Sequence, residues 1–275
     1  MKNIKIIIKI LEYLFIILVL ISVLFPIYWM IITSLKPYAD IYSIPPLFLP
    51  LRVRNNYYRP FVKDVYLKYL INSILISFGN TLVVIPSALL AAYGFSRFKI
   101  KRSNDIYFWA LTTRMAPPAA FIVPYYLIFT YLGMFDNHLT LVLLYNLFNL
   151  PLATWTLKGA IDAIPRDVDE AALIDGCGTL FLIRKVIIPL IKPAIAATSI
   201  LVFIFSFNEY LFASILTSVN ARTITSGLSA FVTVVGTEWG EMAAVGTVCL
   251  IPTIIAAILV QKHIVTGLTL GAVKR

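Results

Sequence analysis

Between Glu12 and Lys36 the chain carries no charged residue. A helical run of that length, at about 1.5 Å per residue, crosses the roughly 30 Å of hydrocarbon in a bilayer. It follows Lys2, Lys5 and Lys9, is longer than a signal-peptide core and lacks a small-residue cleavage site. It is therefore expected to stay as an uncleaved first span over residues 11–35. Comparable apolar stretches recur at 69–95, 106–132, 139–157, 194–216 and 242–260. The predicted fold is all-α, a polytopic membrane protein with six transmembrane helices. The composition agrees: 60% hydrophobic and 13% charged residues, against about a quarter charged in soluble domains. All 275 residues read as one domain.

The net charge of +10 raises the question of nucleic acid. No basic run stands beside a soluble fold, so the excess reads as topology bias and attraction to anionic lipid. Fifteen lysines and arginines fall in the N-terminus, the 97–102 loop, the region between spans four and five, and the C-terminal tail; seven fall on the other side. That asymmetry places both termini in the cytosol, across the cytoplasmic membrane. Cys177 and Cys249 fall in different regions, so no disulfide is expected, and His138 and His263 form no metal-ligand spacing.

One stretch is too polar to cross the membrane. Residues 161–193 sit between spans four and five, on the cytosolic side by the same count. Asp167 and Glu170 have the spacing of an Asp-led capping box, opening a short helix through Ala171 and Ala172. Asp175 precedes Gly176, the residue that most readily ends a helix with φ above zero. A second helical run over 179–188 is expected to end at Pro189, with Arg184 and Lys185 near its close. From the residues alone this is either a surface loop of two amphipathic turns or a plug seated in a partner.

No G-x-x-x-x-G-K-[ST] motif occurs, so the chain cradles no nucleotide. No nucleophile–base constellation lies in the spans either. No catalytic residue and no bound cofactor are expected, and the chain is not an enzyme by itself. Two charges lie within spans, Arg114 and Glu209, and such groups default to function. Either Arg114, Asn208 and Glu209 line a water-filled path, or Arg114 and Glu209 pair and hold helices together. Asn146 and Asn149 are three apart, hence on one helical face with Tyr145 and Phe148 nearby; they suit a sugar or interhelical hydrogen bonds equally. Pro117, Pro118 and Pro124 are expected to break the third span. No inverted repeat is visible, which counts against an ion-coupled carrier with Glu209 as the titrating group, and against a path built from this chain alone.

Glu170-Ala171-Ala172 and Gly176, followed after nine positions by Val186-Ile187-Ile188-Pro189, resemble the E-A-A-x3-G-x9-I-x-L-P signature of ABC importer permeases. Val186 and Ile188 depart conservatively from it. Ala91-Ala92-Tyr93-Gly94-Phe95-Ser96-Arg97-Phe98, Thr113-Arg114-Met115-Ala116-Pro117-Pro118, Asn208-Glu209-Tyr210 and the ending Gly267-Leu268-Thr269-Leu270-Gly271-Ala272-Val273-Lys274 resemble the binding-protein-dependent carbohydrate branch. Phe207 stands where many relatives carry Trp.

The resemblance implies a single permease domain with its core over 67–265, forming half of a sugar path. It implies ATPase coupling through the 167–189 loop, by Asp167, Glu170, Ala171, Ala172, Asp175, Gly176 and Pro189. The candidate substrate path is Arg114, Asn146, Asn149, Asn208, Glu209 and Tyr210, though the resemblance implies that the tighter sugar contacts can fall mainly on the partner permease; it also implies a binding-protein contact loop at Thr217, Arg222, Gly236 and Trp239. The implied partners are a second, distinct permease, two ATP-binding-cassette ATPases holding ATP and Mg, and an extracytoplasmic sugar-binding protein. The alternatives are an ion-coupled secondary transporter and an ABC permease for a non-sugar solute.

Overall fold

The computed structural model describes residues 2–272 apart from Ala116 and Val235, and their side chains apart from 2–7, 104 and 262–272. Lys2, Lys5, His263 and the 267–274 ending therefore lie outside the described side chains.

Among the described residues, four helices are unbroken and apolar enough to cross a membrane. They are the segments Ile8–Leu35, Tyr66–Arg97, His138–Asp162 and Trp239–Gln261 of α1 (Lys2–Leu35), α2 (Tyr66–Arg97), α5 (His138–Asp162) and α10 (Trp239–Ala272). The other two expected spans are assembled from pieces. In place of a continuous third span stand α3 (Ser103–Thr112), a 3₁₀ turn (Pro118–Phe121) and α4 (Ile122–Tyr131). Pro117 is extended, at φ −63° and ψ 119°, because a residue before proline is disfavoured in the helical region. Pro124 falls in the first turn of α4, where a missing N–H costs nothing. The fifth is interrupted between α8 (Lys192–Phe207) and α9 (Leu211–Leu216).

The polar stretch forms α6 (Arg166–Ile174) and α7 (Thr179–Leu190), and α7 meets α8 at 84°. The run does not stop at Pro189 as expected. A π turn at Ile183–Ile187 lets it pass through, since the wider turn relieves the clash that a proline ring makes with the preceding turn. A two-residue hairpin, β1 (Val232–Thr233) and β2 (Gly236–Thr237), is antiparallel.

The chain divides into two compact units. The first comprises residues 1–67 and 228–250. In it Asn56 donates its amide to the carbonyls of Ser34 and Lys36, both at 2.9 Å, while the buried Lys36 ammonium donates to the Leu47 carbonyl over the Trp29 ring. Asn56 lies so close to Gly240 that a Cβ there would sit 2.8 Å from Nδ2. Arg59 pairs with Glu238 at 3.0 Å and Glu241 at 3.2 Å.

The second comprises residues 68–227 and 251–275. One cluster joins Val84, Ala88 and Ala92 of α2, Ala153, Leu157 and Ile161 of α5, Leu182 and Ile187 of α7, and Val202 of α8. Another joins Ile76, Leu141, Leu144, Tyr145, Phe212 and Leu216. The α5 positions recur every three or four residues, as one buried helical face requires. Lipid gives no hydrophobic drive between helices, so close approach by alanine and interhelical hydrogen bonds hold this unit together. Asn149 supplies such bonds, donating to Asn80 Oδ1 at 2.9 Å and Ser206 Oγ at 3.0 Å.

Candidate coupling loop and translocation cavity

The cytosolic-loop candidate is a capped, two-faced helix. α6 opens at Arg166 behind Pro165 (φ −54°, ψ 139°), and no side chain caps it. The capping box expected at Asp167 and Glu170 is therefore absent. Proline fixes the backbone at the entry, which starts the helix two residues early and leaves Asp167 in its first turn. The C-terminal end is as expected. Gly176 has φ +80°, its amide bonds Leu173 O at 3.1 Å, and the Cys177 amide bonds Ala172 O at 3.1 Å. These are the two bonds of a Schellman motif, which needs a left-handed residue at Gly176.

Outward, α6 and its cap expose Asp167, Glu170, Ala171, Leu173, Asp175 and Gly176, with Ile174 at 85% exposure. Leu180 and Phe181 are also exposed. Ala172 instead packs on the core. Pro189 belongs to α7, not to this face.

Asp169 also turns inward. It is 5% exposed, and its Oδ2 lies 2.6 Å from Arg97 Nε at the end of α2. The Nε–H is not aligned on the oxygen, so the contact is ionic without a directed hydrogen bond. Arg97 donates to Ile164 O at 3.0 Å, Ser96 donates to Asp162 Oδ1 at 2.6 Å, and Lys158 donates to Asp162 Oδ2 at 2.6 Å. Sequence reasoning missed this network. Arg97 counted as a positive charge and as part of the 91–98 resemblance, and Asp169 only as an interior member of a capping box. One signal was available: Asp169 and Ala172 are three apart on α6, hence on one face.

Of the path candidates, Arg114, Asn149 and Glu209 line one cavity of about 260 Å³, with Tyr145, Phe148 and Phe205. Asn146, Asn208 and Tyr210 do not line it; Asn146 donates to Val142 O and Asn208 to Ile204 O, each within its own helix. Arg114 and Glu209 form no ion pair among the described residues. Arg114 stacks on Phe205, 4.7 Å from its centroid. Glu209 accepts from the Phe212 amide at 2.9 Å, the Ala213 amide at 3.1 Å and Tyr145 Oη at 2.9 Å. It caps α9, where a helix N-terminus favours negative charge.

The expected outer loop is only partly open. Thr217 is buried and donates to Ala213 O. Arg222 is half-buried against Tyr69. Asp136 accepts four amides, those of Ser218, Val219, Asn220 and Ala221, at 2.9–3.0 Å. Burial raises its pKa, and the four amides outweigh that, holding the carboxyl at about 2. In the other unit Gly236 lies in β2 and Trp239, 46% exposed, opens α10.

Residues 84–269 match the family described as binding-protein-dependent transport system inner membrane component. The trehalose/maltose transport system permease protein MalG of Thermococcus litoralis is 35% identical over 94% of both chains. The diacetylchitobiose uptake system permease protein DasC of Streptomyces coelicolor is 30% identical over 92% of this chain and 93% of that one. A chain of a bacterial ABC transporter that imports the acidic polysaccharide alginate superposes with a TM-score of 0.74 at 24% identity, covering 93% of this chain and 96% of that one. That likeness shows a shared fold. Taken with the broken third span, the capped helix of the polar stretch and the four unbroken apolar spans among the described residues, these matches establish that the chain belongs to the family of binding-protein-dependent transport system inner membrane components, the membrane-embedded permeases of ABC transporters.

Proposed function

We propose that the chain is a permease subunit of an ABC importer that passes a sugar from an extracytoplasmic binding protein to the cytosol. Relatives whose names state trehalose, maltose and diacetylchitobiose match it over more than nine-tenths of both chains. In this reading it forms half of the path, beside a second, distinct permease. Two separate ATPase subunits hold ATP and Mg; this chain binds no cofactor. Both termini face the cytosol, as the lysine and arginine asymmetry favours.

The observation that carries the coupling role is the outward face of α6. Ile174 and Leu180 are 85% and 73% exposed, next to the acids Asp167, Glu170 and Asp175. An apolar tip rimmed by charge on a rigidly capped helix suits a groove in the ATPase. Because α6 leads through α7 into α8, and Asp169 ties it to Arg97 of α2, a push on the tip moves two spans at once. In the first unit Val234 and Trp239 are exposed and supply a surface for the binding protein.

The test is Glu170→Lys in the complete transporter. The variant is expected to insert normally and to lose ATP-dependent uptake. Uptake at the wild-type rate would overturn the coupling assignment.

A further inference from the structure

A cavity of about 690 Å³ lies within the first unit, between the end of α1 and the start of α10. That volume is in the range of small-molecule sites. Its walls are apolar: Phe25, Trp29 and Met30 from α1, and Met242, Ala243 and Gly246 from α10. Phe25 also borders a second apolar groove, which α1 alone lines down to Ile17. At 1.5 Å per residue the track from Phe25 to Ile17 continues for about 12 Å along the span.

The opposite end of the cavity is basic. Lys36 and Ile41 border both this cavity and a smaller one that Arg54 lines. Lys36 is 2% exposed, and its ammonium is held by the Leu47 carbonyl and the Trp29 ring, so it contributes charge there rather than an open donor. Arg59 is committed to Glu238 and Glu241. Arg54 is different. Its side chain is 54% exposed and meets Glu241 only at 3.9 Å, beyond a directed hydrogen bond. Its guanidinium is open to an acceptor.

An apolar crevice between two membrane spans that ends at an open guanidinium matches a molecule with a hydrocarbon chain at one end and anionic oxygens at the other. A membrane phospholipid has that form. Arginine's planar fork suits its phosphate, and aromatic side chains such as Trp29 and the exposed Tyr42 belong at headgroup level. Among lipid tails the apolar walls supply fit rather than drive, so selectivity comes from the charged end. A helix of another subunit would cover the walls but would have to bring its own carboxylate to Arg54.

We propose that this crevice is a phospholipid site, with the phosphate accepting from Arg54 and one acyl chain running past Trp29 and along α1 towards Ile17. The bound lipid fills the gap between the first span and the last. The site is independent of the cargo.

The test uses the whole transporter in proteoliposomes, with a phosphatidylglycerol carrying a diazirine on one acyl chain as a minor component. After illumination, adducts are expected within 25–30 and 242–246. Arg54→Gln should lower their yield about ten- to hundredfold, the loss of a hydrogen bond to a charged donor. Arg52→Gln, a change at an exposed cation that lines neither cavity, should leave the yield unchanged. Met242→Trp, which fills the crevice, should remove the adducts; should it fail to assemble, the contrast between Arg54→Gln and Arg52→Gln decides alone. Excess soluble glycerol 3-phosphate should have no effect, and suppression by it overturns the lipid in favour of a free phosphate ester. Yields from Arg54→Gln equal to the wild type, with adducts spread evenly along α1, mean ordinary solvating lipid and overturn the site. Absence of adducts from the crevice in the assembled transporter also overturns it, the second permease then being the occupant.

Discussion

Arg97 and Asp169 meet at 2.6 Å with both side chains 8% exposed, joining the end of one membrane span to the buried face of α6. Burying two charges is tolerable because each is the other's counter-ion, and Arg97 also donates to Ile164 O. Removing one partner strands the other, which typically costs about 3–5 kcal/mol. Asp169→Ala and Arg97→Ala are each expected to destabilise by that order, while the double replacement Arg97→Met with Asp169→Leu recovers most of it. Thermal unfolding of the purified complex reads the cycle. Additive losses in the double variant would show that the two residues do not act as a pair.

At Gly176 the cost of a side chain lies in the backbone alone. A Cβ there meets nothing within 4 Å, yet φ is +80°. Gly176→Ala is expected to cost about 1 kcal/mol and Gly176→Pro considerably more. The uptake rate should follow the same order, read in vesicles matched for permease content. Equal activity of the two variants would mean that the Schellman end does not set the direction of α6.

The 218–221 turn carries a pH-sensitive clamp. Asp136 is held at a pKa of about 2, below the ordinary value of roughly 3.9. Its ionised form therefore stabilises the 218–221 turn fully above about pH 4, and that contribution is lost as pH falls towards 2. Amide hydrogen exchange at Ser218–Ala221 is expected to quicken on acidification through that window, and Asp136→Ala should show the fast exchange at neutral pH. Slow exchange in Asp136→Ala would remove the clamp.

Asn149 separates structure from cargo recognition. Its amide bridges Asn80 and Ser206, and interhelical bonds of this kind are worth about 1 kcal/mol in membranes. Asn149→Ala is expected to lower the unfolding temperature with little change in half-saturation for sugar. A large rise in half-saturation at unchanged stability would make it a ligand contact instead.

What could be read from the sequence was what local chemistry dictates. Gly176 is left-handed because little else takes that conformation cheaply, and the Pro117–Pro118 pair breaks the third span because proline disfavours helix before it. The interruption at 208–210 was not legible. No proline or glycine marks it; it exists because Glu209, held by Tyr145 from another helix, takes the Phe212 and Ala213 amides. The Asp136 clamp likewise depends on a turn more than eighty residues later in the chain. The capping box failed for a local reason, since Pro165 opens α6 first and Asp169 has a tertiary partner that no spacing reveals.

The central claim is that the tip of α6 faces the cytosol and is covered by an ATPase. With Cys177 replaced by Ser and Cys249 by Ala, Ile174→Cys offers a single thiol on that tip. A membrane-impermeant maleimide is expected to label it only when the cytosolic face of the membrane is open to the reagent, and to lose access when the ATPase subunits are bound. Labelling from the outer face of sealed cells, or labelling unchanged by the ATPase, would contradict the account.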